Sequence, residues 1–394
     1  MKVRLIAICT LIILAVTPIY ADKKVKKVKT LIQTTGDENI PDKRVEVYEI
    51  KAEKERNKII LTGSTTNPDV KEKLLKGLNE RKIRFTDQII LLPDTTEDKA
   101  CYGVVNLSAM NMRNRPSYSA EMVSQGILGM PVRILEKKNW RRVQTPDNYI
   151  GWVTSGSVQA MTKAEYNAWV DAPKVVFIRP YGFCYSKPDK NAQTVSDLVS
   201  GAMLQWEGEY QGFHMVVYPD GRKGFVSKAE AIPFENWIKS RQQNPSFFIT
   251  TAWKYLGIPY LWGGTSPKGM DCSGFIKTIA FQNGLILSRD ASQQAYEGER
   301  IETNGNFDLL LPGDFLFFGK KEENKERVVH VGLYLGNKRF IHAATCIKVG
   351  SFDPSSDEYD EYNTNRFLWA TRIYNSIASP GIVPVKDNSY YQNQ

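Results

Sequence analysis

The chain has 394 residues, 42% of them hydrophobic and 24% charged, with a formal net charge of +9 and five cysteines. That length exceeds one ordinary core and predicts roughly two to four folded units, while the cysteines are too sparse for a disulfide framework and the composition excludes a fibrous or wholly disordered chain. The basic excess is that of a solvated surface with some attraction to anionic polymers, and no segment has the character of a nucleic-acid module.

Residues 1–21 open with Lys2 and Arg4, continue through an apolar run at 5–16 and end Thr-Pro-Ile-Tyr-Ala. This predicts a secretory signal peptide cleaved after Ala21, and hence export to the periplasm or the extracellular space. The run is too short to span a bilayer, so no stable membrane insertion is expected. Cys9 leaves with the signal, and Cys101, Cys184, Cys272 and Cys346 remain. These read as unpaired thiols, Cys101 and Cys184 being the pair that a bridge would join. The lysine-rich stretch at 23–29 reads as a disordered lead-in. Residues 22–99 then form a small α+β unit, with strands at 44–52, 58–63 and 84–92 and a helix at 69–81 capped by Asp69. It carries no recognisable chemistry, and packing or spacing is its expected role.

Residues 100–233 contain an internal repeat. The run Trp140-Arg-Arg-Val-Gln-Thr-Pro-Asp-Asn-Tyr-Ile-Gly-Trp-Val153 matches Phe213-His-Met-Val-Val-Tyr-Pro-Asp-Gly-Arg-Lys-Gly-Phe-Val226, and the segments beginning at Gly129 and Gly201 match upstream of them. Short alternating strands separated by turns predict two all-β barrels, at 100–160 and 173–233, joined by a helix at 162–169.

The chemistry gathers further on. In Gly-Met-Asp271-Cys272-Ser273-Gly-Phe275, the apolar residues Phe275, Ile276, Ile279 and Ala280 recur at helical spacing before Asn283-Gly284. Cys272 therefore falls in the first turn of a helix capped by Asp271, where the unpaired N–H groups and the helix dipole favour a thiolate. Two of the chain's three histidines, His330 and His342, lie in strand-like runs around Gly336-Asn337 that predict a hairpin. An odd loop places the two imidazoles directly opposite on one face, and an even loop places them on opposite faces. With an odd loop, His330 takes the thiol proton and His342 holds its ring, the nucleophile–base–orienter arrangement of acyl transfer.

The blocks Pro259-Tyr260-Leu-Trp262-Gly-Gly264, Asp271 to Phe275, Pro312-Gly-Asp-Phe-Leu-Phe317, His330-Val-Gly-Leu-Tyr-Leu-Gly336 and His342 stand in this order. In them residues 244–376 resemble the NlpC-type cell-wall cysteine peptidases, a rearranged papain-like α+β fold, and the repeat resembles the bacterial SH3-like domains that accompany such enzymes. The resemblance implies a multidomain α+β protein that hydrolyses the γ-D-glutamyl-L-diamino acid bond of peptidoglycan stem peptides. In relatives of this architecture the first SH3-like domain closes the cleft, so that only peptides with a free N-terminal L-alanine fit. Position in the motifs then assigns Glu121 and Tyr149, together with Asp271 and Ser273, to the substrate's amino end, and Tyr260 with the Cys272 N–H to the oxyanion. Arg289, beside Asp290, either grips the free carboxylate of the D-glutamyl residue or pairs with Asp290 or another acid to fix the loop. The alternatives are a hydrolase of intact wall anchored by its SH3-like domains, and a non-catalytic wall-binding adaptor. No metal or cofactor is expected, because the histidines lack a carboxylate or cysteine cluster at metal spacing and there is no phosphate loop or dinucleotide fingerprint. Nothing in the sequence specifies an oligomeric state.

Overall fold

A computed structural model describes residues 17–56, 58–95, 100–322 and 325–392, and the signal-peptide expectation for 1–21 lies largely outside them. The chain divides into two compact units, residues 1–94 and 95–394.

In the first unit a helix, Thr17–Asn39, packs on a sheet of Tyr48–Glu55, Lys58–Thr65 and Phe85–Leu91. The first two strands form an antiparallel hairpin, and the third joins in parallel after the crossover helix Pro68–Glu80. The cap of that helix is Asn67, whose side chain accepts from Val70 N at 3.1 Å, with Pro68 preset for the first turn; Asp69, the expected cap, lies inside the helix. The lysine-rich stretch is helical, contrary to the lead-in reading. Its lysines face solvent while Val28 and Ile32 are buried against Leu74 and Leu78, so the apolar residues among and after the lysines supply the stripe that a disordered segment would lack.

The second unit begins with two seven-stranded sheets of the same design, spanning Tyr102–Val105 to Val158–Met161 and Lys174–Phe177 to Ala231–Pro233. Each surrounds its own core, with Met110, Val132, Val143 and Val153 in one and Val175, Leu198, Val216 and Val226 in the other. Asn148 and Gly221, at matching turn positions, both have positive φ (62° and 87°), the backbone their hairpins require. Gly129 and Gly201 match in the same way (81° and 89°). A Cβ on Gly129 would stand 2.0 Å from the Met203 carbonyl oxygen of the second sheet, and one on Gly201 would stand 2.9 Å from the Phe281 ring in the helix beyond. Between the sheets lies the helix Lys163–Asp171, opened by a Thr162–Glu165 capping box.

The remaining architecture is a helix, Cys272–Gln282, packed on a six-stranded antiparallel sheet in the order Glu299–Ile301, Phe367–Arg372, Phe315–Glu322, Lys325–Gly336, Arg339–Ala343, Ile347–Ser351. Phe275, Ile276 and Ile279 share a core with Phe317, Val331, Leu333 and Ile341, and each contributes about 1.5–3 kcal/mol by leaving water. This packing sets the start of the helix against the strand that carries His330. Asp314 of the Pro-Gly-Asp block ties the sheet by a paired contact to Arg372, whose Nε and Nη2 each donate at 2.9 Å. The chain is thus multidomain α+β, as expected. Among the described residues no helix is long and apolar enough to cross a membrane.

Candidate active site

Asp271 caps the nucleophile helix. Its Oδ1 accepts from Gly274 N at 2.7 Å and its Oδ2 from Gly263 N at 2.9 Å. Cys272 follows as the first helical residue, 7% exposed, with the backbone N–H groups of Val331 and Ser273 near enough to favour its thiolate. The environment opposes the lowering expected from the helix start. Burial pushes the thiol up to about 12, the Asp271 charge adds to this, and the two N–H contacts and Arg289 oppose it without prevailing. Desolvation of a buried group outweighs the contribution of one helix end.

The histidine hairpin turns on Asn337-Lys338, both with positive φ (51° and 59°), and Gly336 pairs with Arg339. Such an even turn alone would put the imidazoles on opposite faces, but the register shifts between Tyr334 and Gly336, and the bulge at Leu335 restores parity. Direct opposition is corrected as well: His342 lies opposite Gly332, and His330 is its diagonal neighbour. Gly332 leaves room there, since a Cβ would stand 3.3 Å from His342 Cβ. The rings meet edge to face, with His330 Nε2 2.8 Å from His342 Nδ1. Burial, then His342 and Arg366, hold His330 well below its usual range. Burial also lowers His342, to about 4, against the opposing pull of Asp360. Burial thus favours the uncharged form of each group, thiol and neutral imidazole. His330 Nε2 is engaged by His342, which leaves Nδ1 as the nitrogen able to take a proton.

Arg289 is 1% exposed and holds Asp271 with both terminal nitrogens, at 2.6 and 3.2 Å, while Nη1 also reaches Ser273 Oγ at 2.9 Å. Of its two readings, the geometry is that of the paired arginine. Its main partner is Asp271, Asp290 standing off at 3.8 Å. Burial works against the Arg289 charge, but Asp271 outweighs it and holds the guanidinium above its ordinary value. Asp271 accepts from Gly263, Gly274, Ser273 and both Arg289 nitrogens. These five contacts crowd the roughly four acceptor positions of a carboxylate, so a substrate ammonium at Asp271 would share its oxygens with the turn and with Arg289. Asp290 caps the short helix Ala291–Gln294 in a box with Gln293. Tyr260 is half-buried; burial raises its phenol, and Cys272 and Asp271 are close enough to add to the effect.

The first barrel docks beside this cluster. Gln125 Oε1 accepts from Thr265 N at 3.0 Å and Ser266 Oγ at 2.9 Å, and its carbonyl accepts from Thr265 Oγ1 at 3.0 Å. Lys277 of the nucleophile helix pairs with Asp147. Gly263, at φ 78°, passes so close to the barrel that a Cβ would stand 2.4 Å from Met122 O. Glu121, exposed, accepts from Trp262 Nε1 at 2.9 Å and from Asn114 Nδ2 at 3.1 Å. Tyr149 is buried in the barrel core, yet near enough to Arg289 to act on its charge. The fold thus gathers Tyr260, Asp271, Cys272, Ser273, Arg289 and Tyr149, sets His330 and His342 on the adjoining sheet, and puts Glu121 where barrel and Trp262 meet.

Sequence reasoning missed two residues here. Gln125 carries no motif signal, and Asp360, whose Oδ2 lies 3.5 Å from His342 Nε2, caps a four-residue helix that no periodicity announces. Cys101, Cys184, Cys272 and Cys346 are all unbridged, and no cluster suited to a metal occurs among the described residues.

Residues 257–372 match the NlpC/P60 family, and residues 112–158 match the bacterial dipeptidyl-peptidase SH3 domain. A gamma-D-glutamyl-L-lysine dipeptidyl-peptidase of Bacillus cereus is 28% identical over 232 residues, which is 57% of this chain and 67% of that protein. Its Bacillus subtilis counterpart is 31% identical over 50% of this chain and 61% of that protein. Dipeptidyl-peptidase 6 of Lysinibacillus sphaericus is 28% identical over 59% of this chain and 84% of that protein. The crystal structure of an NlpC/P60 family protein from Bacillus cereus superposes with a TM-score of 0.59 at 20% identity, covering 69% of this chain and 99% of that one, and establishes the shared fold.

Proposed function

This chain carries an NlpC/P60 domain and a bacterial dipeptidyl-peptidase SH3 domain, and on that premise we propose that it is an exported cysteine peptidase cleaving the γ-D-glutamyl-L-diamino acid bond of released peptidoglycan stem peptides with a free N-terminal L-alanine. In this reading the Cys272 sulfur attacks the γ-carbonyl carbon as its proton passes to His330 Nδ1. The carbonyl oxygen, now negative, is held by the Cys272 N–H and the Tyr260 hydroxyl. Collapse breaks the C–N bond, His330 gives its proton to the departing amine, and a thioester remains. Water, relieved of a proton by His330, attacks the thioester; the C–S bond breaks and the proton returns to the sulfur.

The observation that carries the substrate reading is the first barrel seated beside the nucleophile through Gln125, with the Glu121 carboxylate at Trp262. Glu121 has two donors to about four acceptor positions, so it keeps capacity for an ammonium group, with Tyr149 in the core of the same barrel. Asp271, Ser273 and Arg289 then serve chiefly to hold the nucleophile's turn, and Arg289 Nε, which has no hydrogen-bond partner among the described residues, is the donor still open to the substrate carboxylate.

Mass spectrometry of L-Ala-γ-D-Glu-diamino-acid peptides incubated with the protein, beside N-acetylated versions and a Cys272→Ala control, tests this. Cleavage of the free-amine peptide alone, lost in the control, is expected. Equal cleavage of both peptides would overturn the closed-cleft reading in favour of intact wall, and cleavage of neither would overturn the substrate class.

A further inference from the structure

His342 is fully buried, and only one of its ring nitrogens has a hydrogen-bond partner: Nδ1 meets His330 Nε2 at 2.8 Å, whereas Nε2 has none. Asp360 Oδ2 stands 3.5 Å from that Nε2. The carboxylate is held from behind. Asp360 Oδ1 accepts from Asn363 N at 3.0 Å and Oδ2 from Asn363 Nδ2 at 2.5 Å, while Arg366 grips Asn363 Oδ1 at 3.0 and 2.8 Å and so turns the amide NH2 toward Asp360. The other charges acting on His342 are Lys348 and Arg366.

A neutral imidazole has one N–H, and the short contact between the rings needs a single proton. In one arrangement His342 donates from Nδ1; its bare Nε2 lone pair then faces the Asp360 carboxylate, and His330 keeps its own proton on Nδ1, where it is no base. In the other, His342 carries its proton on Nε2 toward Asp360, His330 donates from Nε2, and His330 Nδ1 is left with its lone pair. The carboxylate disfavours the first arrangement and favours the second. We infer that Asp360 is a positioning residue, the far end of an Asp360–His342–His330 relay that fixes both ring tautomers and keeps His330 Nδ1 competent to accept the thiol proton. The catalytic consequence rests on the cysteine-peptidase reading; the tautomers do not.

With only three histidines in the chain, long-range ¹H–¹⁵N correlation spectra of ¹⁵N-histidine-labelled protein read the tautomers directly. Protons on Nε2 of both His330 and His342 are expected, and a proton on His342 Nδ1 would overturn the relay with no variant needed. Asp360→Ser retains a side chain able to cap the helix but removes the carboxylate. It is expected to show mixed His342 tautomers and a kcat lowered by about tenfold to a hundredfold, part of what a positioned base supplies, with KM within about twofold. Wild-type tautomers and wild-type kcat in Asp360→Ser would overturn the proposal. If the wild-type protein cleaves no stem peptide, the peptidase reading fails and the spectra still decide the relay.

Discussion

Glu297 lies just beyond the short helix after Arg289 and is 8% exposed, with Oε2 lacking a hydrogen-bond partner. It packs where Gly381 comes so close that a Cβ there would stand 2.3 Å from Oε1. Burial raises its carboxyl from 4.5 to about 7, Ser288 opposing with two hydrogen bonds and Asp147 adding to the rise. The folded chain therefore binds a proton more tightly than the unfolded chain does. Stability from this group is fully present below pH 4.5 and is lost as pH rises toward 7. At about 1.4 kcal/mol per unit the loss approaches about 3 kcal/mol, most of it between pH 5 and 7. Glu297→Gln keeps the shape and cannot ionise. Urea denaturation followed by tryptophan fluorescence is expected to show the variant within about 1 kcal/mol of wild type at pH 5 and more stable by about 2–3 kcal/mol at pH 8.5. Parallel pH dependence in the two proteins would mean that Glu297 ionises as readily folded as unfolded, and that its burial costs the chain nothing.

The site itself gives three further expected outcomes. Because burial holds the Cys272 thiol up at about 12, its alkylation by iodoacetamide should rise about tenfold per pH unit through pH 10; a plateau below pH 8.5 would reveal a resting ion pair instead. Arg289→Met leaves Asp271 buried without its counter-charge, so a loss of about 3–5 kcal/mol in urea denaturation is expected, and a loss under about 1 kcal/mol would show that the backbone N–H groups suffice. Deleting Leu335 removes the extra residue of the bulge and leaves Gly336–Arg339, Tyr334–Phe340 and Gly332–His342 paired across a regular two-residue turn, so His330 and His342 stay on one face and measurable peptide cleavage is expected. Complete loss of activity in a folded deletion variant would contradict the register reading.

Much of the site is written in local signals. The Asp271 cap, the apolar spacing behind Cys272 and the turn residues between the histidines are each a matter of a few neighbouring positions. The repeat was legible because both copies keep an aromatic residue, a valine, a Pro-Asp turn and a closing Gly-aromatic-Val, and the structure places a positive-φ residue at the same point of each turn, Asn148 in one and Gly221 in the other. What the sequence concealed depends on distant parts meeting. No pattern marks Leu335 as an extra residue, since Phe340 and Ile341 are adjacent and both buried, one on each face, and such a strand shows no alternation from which its register could be read. The environment of Cys272 is set by the core that buries it, not by its helix alone. Arg289 finds Asp271 eighteen residues back, and Asp360 finds His342 across a loop without periodicity. The lysine-rich stretch misled for a simpler reason: its charge dominates the composition, while Val28 and Ile32 decide the structure by packing against another helix.

Gly129 and Gly201 occupy corresponding places in the two barrels, and at each the barrel comes hard against a later part of the chain: the Met203 backbone in one case, the Phe281 ring in the other. Different polar pairs surround the two contacts, the Met203 N–H with the Leu128 carbonyl in the first and Ser200 with the Tyr255 hydroxyl in the second. The glycines themselves ask only that nothing project from their own α-carbons. Duplication of the barrel therefore carried its own coupling along, and the same fastening serves barrel to barrel and barrel to catalytic helix. A side chain at either glycine would pry open one joint and leave the other closed.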